Sequence, residues 1–174
     1  MPNRPVLRLT LDTCCINLRK ANPALNELER LDGQGIIQIA ATPEMLVDLE
    51  RDKSPHAKRK EKAKRLHDQI HDESAKPIPS GSFEKALEDP NTRGKVERGL
   101  LRWLEILFES GPPNENMVDD ILHVLIHRVW KRDIFVTMET DLLSRREQLK
   151  KLGVIVCTPE EALQRVRHRI SSSP

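Results

Sequence analysis

The sequence predicts an α/β fold with a mostly parallel sheet, because strand-like and helix-like segments alternate along the chain. Residues 7–11 alternate apolar and polar side chains with a period of two, which is the pattern of a short strand. Two later apolar runs, IFVT and GVIVC, each precede a segment that begins with helix-start residues. This order of elements is typical of an α/β sandwich.

The first half of the chain carries two start signals for helices. Asn22 and Pro23 suit an N-cap and a first helical position, and apolar residues at helical spacing follow through Leu31. The turn DGQG ends this helix and leads into a second apolar strand, IIQIA. Thr42 and Pro43 repeat the start signal for the segment ATPEMLVDLER. We therefore predict a helix after each of the first two strands.

The second half repeats the alternation. A helix is predicted from about Val118 to Trp130, a strand at IFVT, and a helix that opens at Thr140 or Asp141. Strand GVIVC and a helix with Thr158 as N-cap close the fold. We predict a single domain over 1–170, with a charged helical insertion at about 53–110 and a frayed tail at 171–174.

Composition excludes several functional classes. The formal net charge is only +2, so overall charge does not identify a partner. Aromatic residues make up 3% of the chain and Tyr is missing, which argues against a base-stacking platform. Three cysteines, two of them adjacent, give no disulfide framework and favour a reducing compartment. Without a signal-like start or a membrane-spanning run, we expect a cytoplasmic protein that does not bind membranes.

Several acids stand where strands end or on neighbouring helices. Asp12 directly follows the first strand, and ligands of open parallel sheets bind at the carboxyl ends of the strands. A purely structural alternative is that Asp12 or Thr13 caps the next helix. Helix phase places Asp119 beside the apolar stripe and turns Asp120 toward solvent, the stripe being Val118, Ile121, Leu122, Leu125 and Val129.

The ordered motifs resemble the PIN-domain family of metal-dependent nucleases over most of the chain. LTLDTCCI is similar to the family's opening strand with its Asp-Thr, and TPEMLVDLER to the helix that places an acid at Asp48. VDDILHVLI resembles the helix that begins with an acid, in agreement with Asp119. IFVTMETDL resembles the strand followed by two spaced acids, and GVIVCTPEEAL the closing strand and helix. The resemblance implies a three-layer α/β/α fold with a helical insertion.

The resemblance also implies a function. It points to a ribonuclease that uses Mg²⁺ or Mn²⁺ and acts on RNA ahead of DNA. An antitoxin or a second copy of the chain would be its protein partner. Carboxylates around one cleft repel one another and therefore take up protons or bind cations, and Mg²⁺ prefers such oxygen ligands. The implied catalytic set is Asp12, Asp48, Asp119, Glu139 and Asp141. Of these, Asp12, Asp119, Glu139 and Asp141 would hold the metal, with Thr13 and Thr137 as polar support.

Departures from the family pattern motivate an alternative. Cys14 stands where Asn or Ser is frequent, Asp48 where Glu is usual, and Glu139 where Asp is usual. The alternative is a nucleic-acid-binding or scaffold protein that kept the fold and lost catalysis. Two histidine pairs, HDQIH and HVLIH, lack the Glu of a zinc protease motif, so we do not expect zinc there. His123 lies one turn past Asp119, where it could line the cleft, but we expect a partly buried structural histidine.

A basic arm, AKRKEKAKR, lies within the predicted insertion. It concentrates positive charge in a chain that is otherwise nearly balanced, and a solvated helix face is the ordinary explanation of such a run. Beside an acidic cleft, basic groups would also hold RNA phosphates without reading sequence. We therefore assign RNA binding to Lys58, Arg59, Lys60, Lys62, Lys64 and Arg65.

Overall fold

The computed structural model describes residues 7–18, 22–41 and 115–172, and only the backbone of residues 16–18, 115–119 and 122. Within these ranges the chain forms four strands and six helices, which are labelled here in chain order. The strands are β1 (Leu7–Leu11), β2 (Ile37–Ala41), β3 (Ile134–Val136) and β4 (Val156–Cys157). The helices are α1 (Thr13–Leu18), α2 (Pro23–Gly33), α3 (Glu115–Val129), α4 (Thr140–Ser144), α5 (Arg146–Lys151) and α6 (Pro159–Ser171).

The four strands form one sheet in the order β2-β1-β3-β4, and every described pairing is parallel. In the register of this sheet, Leu9 of β1 lies opposite Ile39 of β2 and Ile134 of β3. The α/β class and the parallel sheet predicted from the sequence are therefore confirmed. Because all strands run the same way, the residues that follow β1, β3 and β4 meet at one edge, called here the carboxyl edge.

Helices cover both faces of the sheet, an arrangement compatible with three α/β/α layers. One core packs α2 and α6 against the odd-numbered side chains of β1, such as Leu9 and Leu11. The other packs α3, α4 and α5 against Phe135 of β3 and Val156 of β4. Each strand thus buries alternate side chains on opposite faces, as the pleat requires.

Two helix starts have the side-chain caps that the sequence predicts. The Asn22 side chain accepts a hydrogen bond from the Leu25 N–H, and Pro23 occupies the first turn of α2. At α6, Thr158 and Glu161 form a reciprocal capping box next to Pro159. Both caps are local sequence signals, which is why the sequence reveals them.

Other boundaries differ from the predicted ones by a few residues. Helix α3 already begins at Glu115, and β4 contains only two residues of the GVIVC run. Helix α6 continues through Ser171, one residue into the segment predicted to fray. In the described ranges, no helix is both long enough and apolar enough to cross a membrane. The predicted helices between residues 42 and 114 lie outside the described residues.

A buried arginine joins β1 and β2. Arg132 is 7% exposed, and its Nη2 donates to the carbonyl oxygens of Leu9 at 2.9 Å and Gln38 at 2.8 Å. Its Nε donates to the same Leu9 oxygen at 3.3 Å. A charged donor thereby satisfies carbonyl groups of two neighbouring strands, which fixes the loop before β3 to the sheet.

Replacing Arg132 tests this contact. Arg132→Met keeps much of the side-chain volume and removes the donors, so two buried carbonyl oxygens lose a partner. We expect the free energy of unfolding in urea to fall by about 2–3 kcal/mol. The matched change Arg128→Met affects an exposed arginine of α3 and should alter stability by less than about 0.5 kcal/mol. Equal effects of the two changes would contradict a role for Arg132 in holding the strands.

Candidate active site at the carboxyl edge

Asp12 lies at the carboxyl end of β1 and is almost completely buried, with 4% of its surface exposed. Its backbone N–H donates to the Val136 carbonyl oxygen at 2.9 Å, so the pairing with β3 extends to this residue. Its Oδ1 accepts the Thr13 N–H at 2.7 Å, which is a contact at the start of α1. The capping interpretation of Asp12 is thus partly correct, but it accounts for one carboxylate oxygen only.

The other carboxylate oxygen contacts the end of β3. The Thr137 hydroxyl is buried and donates to Asp12 Oδ2 at 2.6 Å. The same hydroxyl oxygen accepts the Glu139 N–H at 3.0 Å, so the hydroxyl proton is directed toward Asp12. Thr137 therefore links the end of β1 to the loop after β3.

A half-buried cysteine completes this network. Cys14 Sγ donates to Asp12 Oδ2 at 3.4 Å, lies 3.6 Å from Thr137 Oγ1, and accepts the Met138 N–H at 3.3 Å. Cys15, by contrast, is fully buried in the core. The prediction of small buried thiols is confirmed for Cys15, whereas Cys14 contacts the polar groups of the site.

Glu139 and Asp141 follow β3 on the same edge. Glu139 occupies the N-cap position of α4 without a side-chain capping bond, and Asp141 lies in the first turn. Both residues are exposed. The predicted helix start at Thr140 is confirmed.

Asp120 of α3 belongs to the same acidic group, and the prediction that it points to solvent is wrong. Its carboxyl is half-buried. Burial, followed by the negative charges of Asp12, Glu139 and Asp141, raises its pKa to about 7, although His123 opposes this shift. The negative charges of Asp12, Glu139 and Asp141 act on Asp120, so the four acids belong to the same edge of the sheet.

The wrong phase of α3 has a physical cause in its histidines. His123 and His127 are both buried, at 2% and 1% exposure, whereas Val129 of the predicted stripe is 41% exposed. His127 Nδ1 and Thr10 Oγ1 share a hydrogen bond of 2.8 Å, which anchors the helix on β1. Since Asp120, His123 and His127 are spaced by three and four residues, they share one face of the helix.

The buried histidine is held in its neutral form. Burial, together with the positive charges of Arg132 and Arg8, lowers the pKa of His127 to about 3. Its ring also packs edge-to-face against Phe135, with the ring centroids 5.6 Å apart. A neutral imidazole can therefore occupy the interior. The prediction of a structural histidine at His123 is confirmed in the sense that its ring is buried.

Some predicted residues lie outside what the structure describes. Asp48, the histidines of HDQIH and the basic arm from Lys58 to Arg65 fall between residues 42 and 114. The side chain of Asp119 is not among those described. The sequence analysis missed Asp120 as a member of the acidic group and Cys14 as a contact of Asp12. The two histidines of HVLIH lie four residues apart on one helix face, and this spacing was the signal that could have revealed Asp120.

The acidic group has the donor chemistry that a hard cation requires. Four carboxylates supply oxygen ligands; burial is the main cause of the raised pKa of Asp120, and a cation would offset the part that comes from the negative charges of Asp12, Glu139 and Asp141. Among the described residues, no three His, Cys, Asp or Glu side chains are already close enough together to hold an ion. The residues therefore fit Mg²⁺ or Mn²⁺ in chemistry, and binding would require their side chains to converge.

Comparison with known proteins adds no relative. No family model, no curated protein and no solved structure matches this chain. The resemblance to the PIN-domain family therefore stays a prediction from its motifs. Support for a function comes from those motifs and from the geometry at the carboxyl edge.

Proposed function

We propose that this protein is a metal-dependent nuclease of the PIN type that hydrolyses RNA phosphodiesters at the carboxyl edge of its sheet. The observation that carries the proposal is that three elements each supply acids to this one edge of the sheet. Asp12 follows β1, Glu139 and Asp141 follow β3, and Asp120 lies on α3 within range of their charges. Such a group supports cation binding next to a phosphate, because a cation offsets the repulsion between neighbouring carboxylates.

Asp12, Asp120, Glu139 and Asp141 are the residues that would hold the cation, with Asp119 and Asp48 as the further acids implied by the resemblance. A bound Mg²⁺ or Mn²⁺ supplies charge neutralisation at the phosphate and an activated water. That activated water would attack phosphorus, so no nucleophilic side chain is needed.

The chain's own groups prepare this arrangement. Thr13 and Thr137 each donate to one oxygen of Asp12, which fixes the orientation of its carboxylate. Glu139 and Asp141 are exposed and can turn toward an incoming phosphate with its counter-ion. Asp120, with a pKa of about 7, can hold or release a proton at its carboxyl near neutral pH.

A second candidate is a nucleic-acid-binding or scaffold protein without catalysis. The observation that favours it is the spacing of the described acids, which are not already gathered as a metal site. The departures at Asp48 and Glu139 point in the same direction. Cleavage assays separate the two candidates, since both would bind RNA.

The test is cleavage of end-labelled single-stranded RNA by the purified protein with Mn²⁺, with Mg²⁺ and with EDTA. We expect products with either ion and none with EDTA. DNA of the same sequence should be cut more slowly. As a readout independent of activity, Mn²⁺ should raise the melting temperature, because an ion that binds only the folded state stabilises it, by about 2.7 kcal/mol at 100 times its Kd. RNA binding without cleavage or metal-dependent stabilisation would favour the second candidate.

A further inference from the structure

Three arginines lie on the β4 side of the sheet, and one of them contacts the backbone of the acidic group. Arg145 lies between α4 and α5, and its Nη1 donates to the Asp141 carbonyl oxygen at 3.1 Å. Arg146 begins α5, and its Nη1 lies 3.1 Å from Glu161 Oε1 of α6. Arg165 lies farther along α6. These residues, Arg145, Arg146 and Arg165, are called here the arginine cluster.

Arg146 is linked to the end of β4 through Glu161, whose other carboxylate oxygen accepts the Thr158 N–H at 3.0 Å. Arg165 and Arg146 also act on the Cys157 thiol. Burial raises the pKa of Cys157, whereas the charge and a hydrogen bond of Arg165 and the charge of Arg146 oppose that rise. The Cys157 carbonyl oxygen in turn accepts the Thr137 N–H at 3.0 Å. Since the Thr137 hydroxyl donates to Asp12, the end of β4 is linked to the buried acid through β3, the strand that lies between them.

Structural roles account for little of this positive charge. The Arg146–Glu161 ion pair is exposed, with 51% and 42% of the two side chains accessible, and such pairs contribute less than about 1 kcal/mol. Glu161 also caps α6 through its other oxygen, so this role does not depend on Arg146. Residues 145–172 carry seven Lys and Arg against three Glu, in a chain of nearly balanced charge. The segment that contains the arginine cluster thus carries excess positive charge.

We propose that the arginine cluster binds backbone phosphates of the RNA strand and holds that strand against the β4 side of the carboxyl edge. The inference rests on the proposed function, because it names how that site takes up its substrate. The acidic group alone repels a polyanion, so adjacent cations are required to bring phosphate near it. The planar guanidinium fork matches phosphate oxygens in a bidentate geometry.

The decisive experiment compares two double variants that each remove two exposed arginines, one of them from α6. Arg146→Gln/Arg165→Gln alters the arginine cluster. Arg30→Gln/Arg167→Gln alters two arginines that pair with Glu27 of α2, and Arg30 lies near the amino edge, where α2 ends before β2. Binding of fluorescent oligouridine is measured by anisotropy in EDTA at several salt concentrations, so cleavage plays no part. Thermal melts verify that both variants are folded.

We expect the cluster variant to bind about tenfold more weakly at low salt and to lose about 1.4 from the log–log salt slope, which is 0.7 for each lost phosphate contact to a single strand. The control variant should keep the parent's slope and affinity. With Mn²⁺ present, the cluster variant should show a higher KM and an unchanged kcat, since neither arginine is assigned to the chemistry.

The outcomes separate this inference from the proposed function. If the parent cleaves RNA and both variants bind as the parent does, the cluster inference is overturned and the nuclease stands. If the parent binds but never cleaves, and only the cluster variant loses affinity, the phosphate site stands and the nuclease falls. A parent that does not bind oligouridine, or equal losses in both variants, would also overturn the cluster inference.

Discussion

Asp12→Asn should abolish RNA cleavage in a protein that remains folded. The change keeps the shape of the side chain and one oxygen that can accept the Thr13 N–H, but it removes the negative charge at the centre of the acidic group. Loss of a partner that only orients a metal ligand already costs about 10–100-fold in activity, so removal of a ligand should cost more than about 100-fold. The measurement is the initial rate of cleavage with Mn²⁺ at saturating RNA.

The matched control is Asp133→Asn at the opposite edge of the sheet. Asp133 is exposed and its Oδ2 accepts the Arg8 N–H at 2.6 Å, so the same chemical change is made far from the acidic group. This variant should cleave RNA as the parent does. Near-parental activity of purified Asp12→Asn would refute the metal-nuclease proposal, since no arrangement of the remaining acids makes the buried one dispensable.

Asp120→Asn should also lower cleavage strongly, by at least about tenfold, because Asp120 shares the charge field of Asp12, Glu139 and Asp141. Comparison with Asp119→Asn shows which of the two neighbouring acids the site uses. A large loss in Asp119→Asn together with full activity in Asp120→Asn would support the helix phase deduced from the sequence over the one in the structure.

The same substitution has a pH-dependent effect on stability. The folded-state pKa of Asp120 is about 7 and its model-compound value is 3.8, so the folded state binds a proton more tightly than the unfolded state. Stability from this group is therefore full below about pH 4 and is lost as the pH rises through 7. Because Asn does not ionise in this range, Asp120→Asn should not lose stability as the pH rises through 7. In EDTA, we expect the variant to be more stable than the parent at pH 8 and equal to it at pH 4.

The gain at pH 8 should be about 1–2 kcal/mol, because solvent screens a half-exposed carboxylate and reduces the repulsion that it feels. Urea unfolding at several pH values measures it. If the difference in stability between variant and parent did not change with pH, the neighbouring carboxylates would not be repelling the ionised carboxyl of Asp120.

Local signals in the sequence predicted the scaffold well. The N-caps at Asn22 and Thr158 and the alternation in β1 are encoded by residues close together in the chain, and all three are confirmed. The position of Asp12 at a strand end follows from the same short-range pattern. Such features depend on backbone geometry and on neighbouring side chains, so one sequence is enough to reveal them.

Long-range contacts explain why the predicted orientation of α3 was wrong. His127 is buried because Thr10, more than a hundred residues earlier, offers its ring a hydrogen bond. A helical wheel that treats histidine as polar cannot include this partner, and it therefore rotated the helix so that Asp120 faced solvent. The contact between Cys14 and Met138 was missed for the same reason, since it exists only after β1 and β3 pair.

The pleat of β1 has a consequence for how this site can change over evolution. Thr10 and Asp12 are two residues apart and so face the same side of the sheet, where Thr10 holds α3 through His127. Leu9 and Leu11 face α2 and α6 instead. Insertion or deletion of one residue between Thr10 and Asp12 would move the acid across the sheet and away from Asp120. We therefore expect the spacing between Thr10, which anchors the helix, and Asp12 to stay constant in evolution. The residue between them can be substituted, but the segment cannot gain or lose one residue.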